Sequence, residues 1–269
     1  NNRIRRVDAG GIITTIAGSG SGAYAGDGGP ATGAGMYYPT ETELAPNGTL
    51  FIVDAGNSVV RAVDTAGAIT TVAGNGEFAY SGDGGPATGA ALLFPGGMAL
   101  GTRGELYIAD TGNNVVRRVN ADGIISTVTG TGDAGFSGDG GPGVAARLDA
   151  PYDVDVSPDG TLYITDTWNS RVRVQAQRAP QAATNAATDL TRTAATLNAS
   201  VVPGDEQAHA SFQWGTTSTY GETIAGGDLD PAETSAHVAA TLEGLAPGAT
   251  FHYRVVVTSS LGTRSRVMP

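Results

Sequence analysis

Short runs of apolar and β-branched residues, separated by polar turn residues, fill the first two thirds of the chain. In one stretch, the apolar segment 96–101 is followed by ELYIAD at 105–110, NVVRRVN at 114–120 and IISTVTG at 124–130. Runs of this length that alternate or are rich in β-branched residues favour strands, and the Gly, Asn and Asp between them favour tight turns. The pattern therefore predicts four short strands in succession.

The four-strand pattern recurs every 56 residues. Four-stranded units at such a period are typical of β-propeller blades. Over residues 1–175 the repeat predicts two, four, four and three strands, because the first copy holds only its outer two strands and the last copy lacks its outer one. The aligned copies are 1–18 with 57–74 and 113–130, and 48–57 with 104–113 and 160–169.

A glycine-rich segment built around Gly-Asp-Gly-Gly-Pro stands between successive units and places Asp27, Asp83 and Asp139 at the same spacing. Glycine permits positive φ and close backbone approach, and proline fixes φ. We therefore expect each segment to connect the outermost strand of one blade to the innermost strand of the next, with the aspartate bonding its own loop. An alternative hypothesis is that the three aspartates and nearby carbonyl groups bind Ca²⁺.

The middle copy, PGGMALGTRGELYIADTGNNVVRRV at 95–119, resembles the NHL repeat nearly throughout, and the resemblance extends over about residues 1–175. It implies an all-β fold of NHL-type propeller blades. The glycine-rich inserts resemble those of bacterial secreted and surface proteins and of teneurin-like propellers. In the family the Asp-x-x-Asn residues hydrogen-bond the turn between the second and third strands. Here they are Asp54, Asp110 and Asp166, with Asn57, Asn113 and Asn169.

Positions at which the copies differ are candidates for function. At the entry to the inner strand Gly97 agrees with the family, whereas Glu41 and Asp153 replace glycine in the flanking copies. Two residues further on, Glu43 and Asp155 also share a column. Inner strands of a propeller line its central channel, so Glu41 and Asp153, together with the three loop aspartates, are predicted to form an acidic rim for a cation or a basic partner segment. A solvated acidic face is the alternative.

Trp168 replaces Gly56 and Gly112 in the turn between the second and third strands of a blade. Burying an indole stabilises a protein by on the order of 5 kcal/mol, which an isolated exposed tryptophan forgoes. We therefore expect Trp168 to pack against a neighbouring domain, another subunit or a ligand, with the neighbouring domain favoured.

After the propeller segment at 1–178, residues 179–269 are predicted to form a second domain. AQRAPQAATNAATDL at 176–190 is typical of a short linker that leads into a strand. The pieces AATLNASVVPG, ASFQWGTTSTYGETI and AHVAATLEGLAPGATFHYRVVVTSSLGT resemble a bacterial fibronectin type III-like sandwich. In that family such modules act as spacers or adhesive surfaces. Its usual corner tyrosine falls at Phe251, so we expect the hydrogen bond of that tyrosine to be lost.

Composition narrows the function classes. Cysteine is absent, which excludes disulfides and thiolate chemistry. The formal net charge is −11, so the chain repels phosphate backbones and nucleic acid is not an expected partner. No run of about 18 apolar residues is present, so no membrane span is expected.

The residues available for catalysis favour a non-catalytic function. His209, His237 and His252 all lie in the second domain, so the first domain has no histidine, cysteine or lysine for a metal or nucleophilic mechanism. We predict a bacterial or archaeal extracellular protein of the cell surface that binds a protein or glycan, or copies of itself by strand pairing. No cofactor is expected unless Ca²⁺ binds the loop aspartates.

The number of strands leaves the predicted ring incomplete, because a propeller needs at least four blades. We therefore expect a piece of a larger surface protein or a filament subunit. The alternative function is a propeller lyase or hydrolase whose catalytic residues lie in blades outside this chain.

Overall fold

The computed structural model describes residues 1–176, 178–204, 208–229 and 235–259, and the backbone of 262–266. The chain divides into two compact units, Asn1–Ala176 and Gln177–Pro269. Both units are built from antiparallel strands, which confirms the predicted all-β class. Within the described residues no helix has the length and apolar character needed to cross a membrane.

The first unit contains four small sheets with two, four, four and three strands, as the repeat predicts. We number these sheets blades 1 to 4 and give them in chain order. Blade 1 contains β1 (Ile4–Val7) and β2 (Ile13–Ala17); blade 2 contains β3 (Pro39–Leu44), β4 (Leu50–Asp54), β5 (Val59–Val63) and β6 (Ile69–Ala73); blade 3 contains β7 (Met98–Leu100), β8 (Leu106–Asp110), β9 (Val115–Val119) and β10 (Ile125–Thr129); blade 4 contains β11 (Pro151–Val156), β12 (Leu162–Asp166) and β13 (Arg171–Gln175).

Successive blades pack face to face through apolar side chains. Val53 and Val60 of blade 2 share one buried cluster with Ile108 of blade 3. Blade 3 uses its other face against blade 4, where Tyr107 packs in one cluster with Ile164. A strand buried on both faces explains the continuous apolar runs in β4 and β8.

The turn after the second strand is held by its aspartate. Asp54 accepts a hydrogen bond from the Tyr37 backbone N–H at 2.7 Å and another from the Asn57 side chain at 2.9 Å. The same two bonds recur at Asp110, from Leu93 and Asn113. These contacts attach the start of each blade's inner strand to the turn, which is the role the sequence resemblance implies.

The glycine-rich linkers need glycine at defined positions. Gly82 has φ of 92°, and a Cβ there would lie 2.5 Å from the Cα of Ala90 on the other side of the loop. The linker then runs beside the outer strand of the following blade, where the Gly84 N–H donates to the Ile125 carbonyl at 2.8 Å. The loop is therefore an extra, glycine-dependent edge of the blade.

The second unit has two sheets over one core. Leu197, Val238 and Phe212 belong to this core, and they come from both sheets. The order in one sheet is β14-β15-β18 and in the other β17-β16-β19-β20. The strands are β14 (Gln181–Thr188), β15 (Ala195–Val202), β16 (Ala208–Gly215), β17 (Glu222–Leu229), β18 (Ala236–Leu242), β19 (His252–Ser259) and β20 (Gly262–Arg266).

Two sequence expectations change in the second unit. Much of the segment expected to be a linker is strand β14, because the backbone of Gln181–Thr188 pairs with β15. Phe251 lacks a hydroxyl, but the Tyr253 hydroxyl donates to the Asn185 carbonyl and supplies a tyrosine-to-backbone bond. The fibronectin type III-like assignment stays a prediction.

Candidate functional site

A buried arginine stands at the same position of the third strand in blades 2, 3 and 4. Arg61 and Arg117 are fully buried, and each lies between two aspartates. Arg117 bonds Asp83 of the preceding linker at 2.6 Å and Asp110 of its own turn at 3.3 Å. Blade 4 repeats the arrangement with Arg173, whose partners are Asp139 at 2.6 Å and Asp166 at 3.1 Å.

Aromatic side chains cover these ion pairs from outside. The Arg117 guanidinium lies 4.8 Å from the ring centroid of Tyr80, whose hydroxyl bonds Asp83 at 3.1 Å and Thr127 at 2.8 Å. In blade 4 Phe136 takes the place of Tyr80, so the ring is kept and the hydroxyl is lost. Each linker aspartate is therefore one part of a cation–aromatic cluster.

The pKa values of Asp110 and Asp27 shift in opposite directions. Burial raises the pKa of Asp110 to about 6, although hydrogen bonds and the charge of Arg117 oppose the rise. Burial also raises the pKa of Asp27, but hydrogen bonds from Thr71 and the charge of Arg61 outweigh it, so the net shift is downward. Within blade 2, burial also raises the pKa of the turn residue Asp54, so the linker carboxylate Asp27 is the more easily ionised partner of Arg61.

The loop aspartates Asp27, Asp83 and Asp139 do not join an acidic rim. Each bonds an arginine, and they lie in separate linkers. Among the described residues no group of three or more histidine, cysteine or acidic side chains has the geometry to hold a metal ion. The Ca²⁺ hypothesis stays a prediction, and the ion pair is the role the structure gives these carboxylates.

Glu41 and Asp153, by contrast, come together over Gly97. Both carboxylates reach toward the inner strand of blade 3 from the blades on either side. A Cβ on Gly97 would lie 2.2 Å from Asp153 Oδ1 and 2.7 Å from Glu41 Oε2. Glu41 Oε2 also accepts the Met98 N–H at 2.5 Å. The absence of a side chain at Gly97 is therefore what admits both acids.

A β-bulge accompanies each of the two acids. The pairing register shifts between Pro39 and Glu41 in blade 2 and between Pro151 and Asp153 in blade 4. Bulges re-aim side chains and are frequent beside functional sites. We name the group formed by Glu41, Glu43, Asp153 and Asp155 the carboxylate cluster.

Three carboxyl groups of the carboxylate cluster are harder to ionise than usual. Burial raises the pKa of Glu41 to about 7, and the charges of Asp153, Glu43 and Asp155 add to the rise. Burial and neighbouring carboxylates also raise the pKa values of Glu43 and Asp153. Glu41 therefore takes up a proton at a higher pH than an ordinary glutamate does.

Two aligned positions differ between blades 2 and 4. In blade 2 the aromatic residue, Tyr37, is in the linker and the turn has Gly56, whereas in blade 4 the aromatic residue, Trp168, is in the turn. In blade 2 the ring of Tyr37 covers Gly56, and a Cβ on Gly56 would lie 2.3 Å from it. In blade 4 the linker residue is Asp149, whose backbone carbonyl accepts the backbone N–H of Trp168 at 3.1 Å. The smaller linker side chain gives space for the indole. Trp168 is 77% exposed, and its packing against a neighbouring domain, another subunit or a ligand stays a prediction.

The buried arginines and the role of Gly97 are not among the features that the sequence predicted. The signal for the arginines was present, because Arg61, Arg117 and Arg173 recur at the 56-residue spacing, as the loop aspartates do. No sequence signal gives the close approach at Gly97, because it joins three strands from three blades.

Family comparisons agree with this architecture. Residues 76–135 match the model of the teneurin NHL domain, and 148–174 match the NHL repeat. Teneurin-3 of Danio rerio is 32% identical over 206 residues, covering 66% of this chain and 8% of teneurin-3. Teneurin-1 of Mus musculus is 29% identical over 63% of the chain and 7% of its own length. The chain thus spans less than a tenth of these two relatives, and the matches support an NHL-type β-propeller.

One solved structure shares the fold of about two thirds of this chain. A Bacteroides thetaiotaomicron protein of unknown function superposes with a TM-score of 0.53 and 22% identity, covering 65% of this chain and 42% of that one. A streptogramin B lyase aligns along the whole chain and 76% of its own, but with a TM-score of 0.39 and 11% identity. That likeness is too low to support shared chemistry.

Proposed function

We propose that this chain is part of a non-catalytic surface or secreted protein, and that its blades bind a basic protein segment at the carboxylate cluster. The observation that carries the proposal is the meeting of Glu41 and Asp153 over Gly97. Like charges held together in a half-buried place lower stability, and perturbed carboxyl groups of this kind concentrate at functional sites. A guanidinium or ammonium group placed there would relieve the repulsion.

Exposed aromatic residues near Asp153 favour the same kind of partner. Tyr152 and Trp168 are exposed. Trp168 follows the end of β12 that pairs with the start of β11, the strand that carries Asp153. Aromatic faces attract arginine and lysine side chains and are frequent anchors at protein interfaces. One end of blade 4 therefore combines carboxylates with aromatic surface.

The extracellular part of the proposal is supported by the likeness to teneurins over the propeller. The two-sheet second unit is consistent with a fibronectin type III-like spacer. A spacer beside a binding propeller fits a larger surface protein, which is the setting we propose.

Binding of a fluorescein-labelled arginine-rich nonapeptide, followed by anisotropy, tests the site. We expect the double variant E41Q/D153N to bind at least about tenfold more weakly at pH 8, since a desolvated charge pair contributes on the order of 1.4 kcal/mol or more. Wild-type binding should also weaken as the pH falls from 8 to 6, because Glu41 gains its proton near pH 7.

The matched control is the double variant D64N/D122N, which removes the same charge from two exposed turn positions. If both double variants lose the same affinity, the peptide responds to net charge alone and the carboxylate cluster is not its site.

A further inference from the structure

The outer strand of each complete blade lies between two partners. In blade 2, β6 pairs with β5 on one side. On its other side the Gly28 N–H donates to the Ile69 carbonyl at 2.8 Å, and the Ile69 N–H donates to the Gly29 carbonyl at 3.0 Å. Blade 3 repeats the arrangement with β10, whose Ile125 exchanges the same two bonds with Gly84 and Gly85.

Blade 4 has both partners of an outer strand, namely its third strand β13 and the preceding glycine-rich linker. It has no fourth strand between them among the described residues. We name the space between β13 and linker residues 139–143 the β13 groove. Gly140 and Gly141, the counterparts of Gly84 and Gly85, make no bond to a fourth strand within the described part of the chain. The Asp139 side chain is accordingly 69% exposed, against 39% and 38% for Asp27 and Asp83.

The linker side of the β13 groove has the same backbone conformation as the linker that binds the outer strand in blade 3. Gly138 and Gly140 have φ of 90° and 80°, close to the 92° and 79° of Gly82 and Gly84 beside the filled position. The ion pair between Asp139 and Arg173 joins the linker to β13 at 2.6 Å. A strand entering the groove therefore meets prearranged backbone donors and acceptors, which lowers the ordering cost of binding.

The sequence itself diverts the strand that would fill the groove. The tight turn before β6 uses Asp64, which accepts two backbone N–H groups, and Gly67 at φ of 84°. The matching positions hold Ala176 and Ala179, and Pro180 follows. Residue 181, which stands 56 positions after Ile125, begins β14 and pairs in the second unit. The open groove is thus a property of the sequence inside the chain.

We propose that the β13 groove is a binding site for an extended protein segment that carries the outer-strand sequence of these repeats. The two filled positions define that sequence, because GAITTVAG at 67–74 and GIISTVTG at 123–130 occupy them. The bound segment runs antiparallel to β13, places an isoleucine where Ile125 lies in blade 3, and exchanges backbone bonds with Gly140 and Gly141. This site is separate from the carboxylate cluster and goes beyond the function proposed above.

The β13 groove also differs from the positions of β6 and β10 in the side chains that it accepts. Thr71 and Thr127 of the filled positions bond the hydroxyls of Tyr24 and Tyr80. Phe136 has no hydroxyl to offer, so the groove accepts valine at that position of the bound segment as well as threonine.

A labelled peptide with the sequence of residues 120–131, NADGIISTVTGT, tests the proposal against the full chain. We expect saturable one-to-one binding by anisotropy, and new protection of the Gly140 and Gly143 amides from hydrogen exchange. The Gly84 and Ala87 amides, which already bond the outer strand of blade 3, serve as internal controls. Unchanged exchange at Gly140 and Gly143 in the presence of excess peptide would overturn the proposal.

Variants of the peptide test each contact in turn without changing the protein. Methylation of the backbone nitrogen at the second isoleucine removes one backbone bond and should weaken binding about fivefold or more. Replacing that isoleucine with aspartate should abolish binding, whereas valine in place of the following threonine should leave it unchanged. Equal binding of all the peptides would overturn the proposal, as would a full chain that sediments as a dimer and excludes the peptide, which would assign the groove to a second copy.

Discussion

At the scale of single residues, arginines at the same position of the repeat differ in burial and in ion pairing. Arg5, Arg61, Arg117 and Arg173 are aligned at the 56-residue spacing. Arg61 and Arg117 are buried between two aspartates, whereas Arg5 is exposed on β1. A buried ion pair is a sensitive feature, because removal of one partner leaves the other charge uncompensated.

Replacement of Arg117 with methionine therefore has a large predicted effect. We expect R117M to lower the free energy of unfolding by about 3–5 kcal/mol, since buried Asp110 loses its counter-charge. The aligned variant R5M should change it by less than about 0.5 kcal/mol, as is usual for an exposed position. Urea denaturation of both variants at pH 7 measures the difference, and similar losses would refute the structural role of the ion pairs.

At the scale of elements, the linker is a structured edge of the blade. It pairs with the outer strand, and its glycines differ in what they require. Gly82 combines positive φ with a close approach to Ala90, whereas Gly89 of the same linker has neither a positive φ nor a neighbour within 4 Å of an added Cβ. Composition alone does not distinguish these two glycines.

The same two glycines give a matched pair of substitutions. We expect G82A to lower the melting temperature by several degrees, because both the φ angle and the Ala90 backbone oppose a methyl group. G89A should leave it unchanged or raise it slightly, since alanine restricts the unfolded chain. Thermal melts of the two variants against the wild type measure this. An equal loss in both would mean that the linker needs glycine throughout.

At the scale of the whole molecule, the chain has two units with separate cores. The apolar clusters of the blades draw on residues up to Ile164, and that of the second unit draws on residues from Ala182 onward. Each unit therefore contains the contacts that a folding domain needs.

Separate expression of residues 1–176 and 178–269 tests this independence. We expect each part to melt cooperatively, and the full chain to show two calorimetric transitions at the temperatures of the parts. A single transition, or an isolated second unit without dispersed amide resonances, would show that the two units fold as one.

The sequence by itself determined the repeat, the all-β class and the strand count of the blades, because a 56-residue period carries both strand and turn signals in every copy. It also located Glu41 and Asp153 as departures from that period. Only the tertiary structure showed that these acids meet over Gly97 and that the loop aspartates bond arginines 34 residues away. Such contacts depend on how blades pack and how linkers cross them, and a linear spacing does not encode these distances.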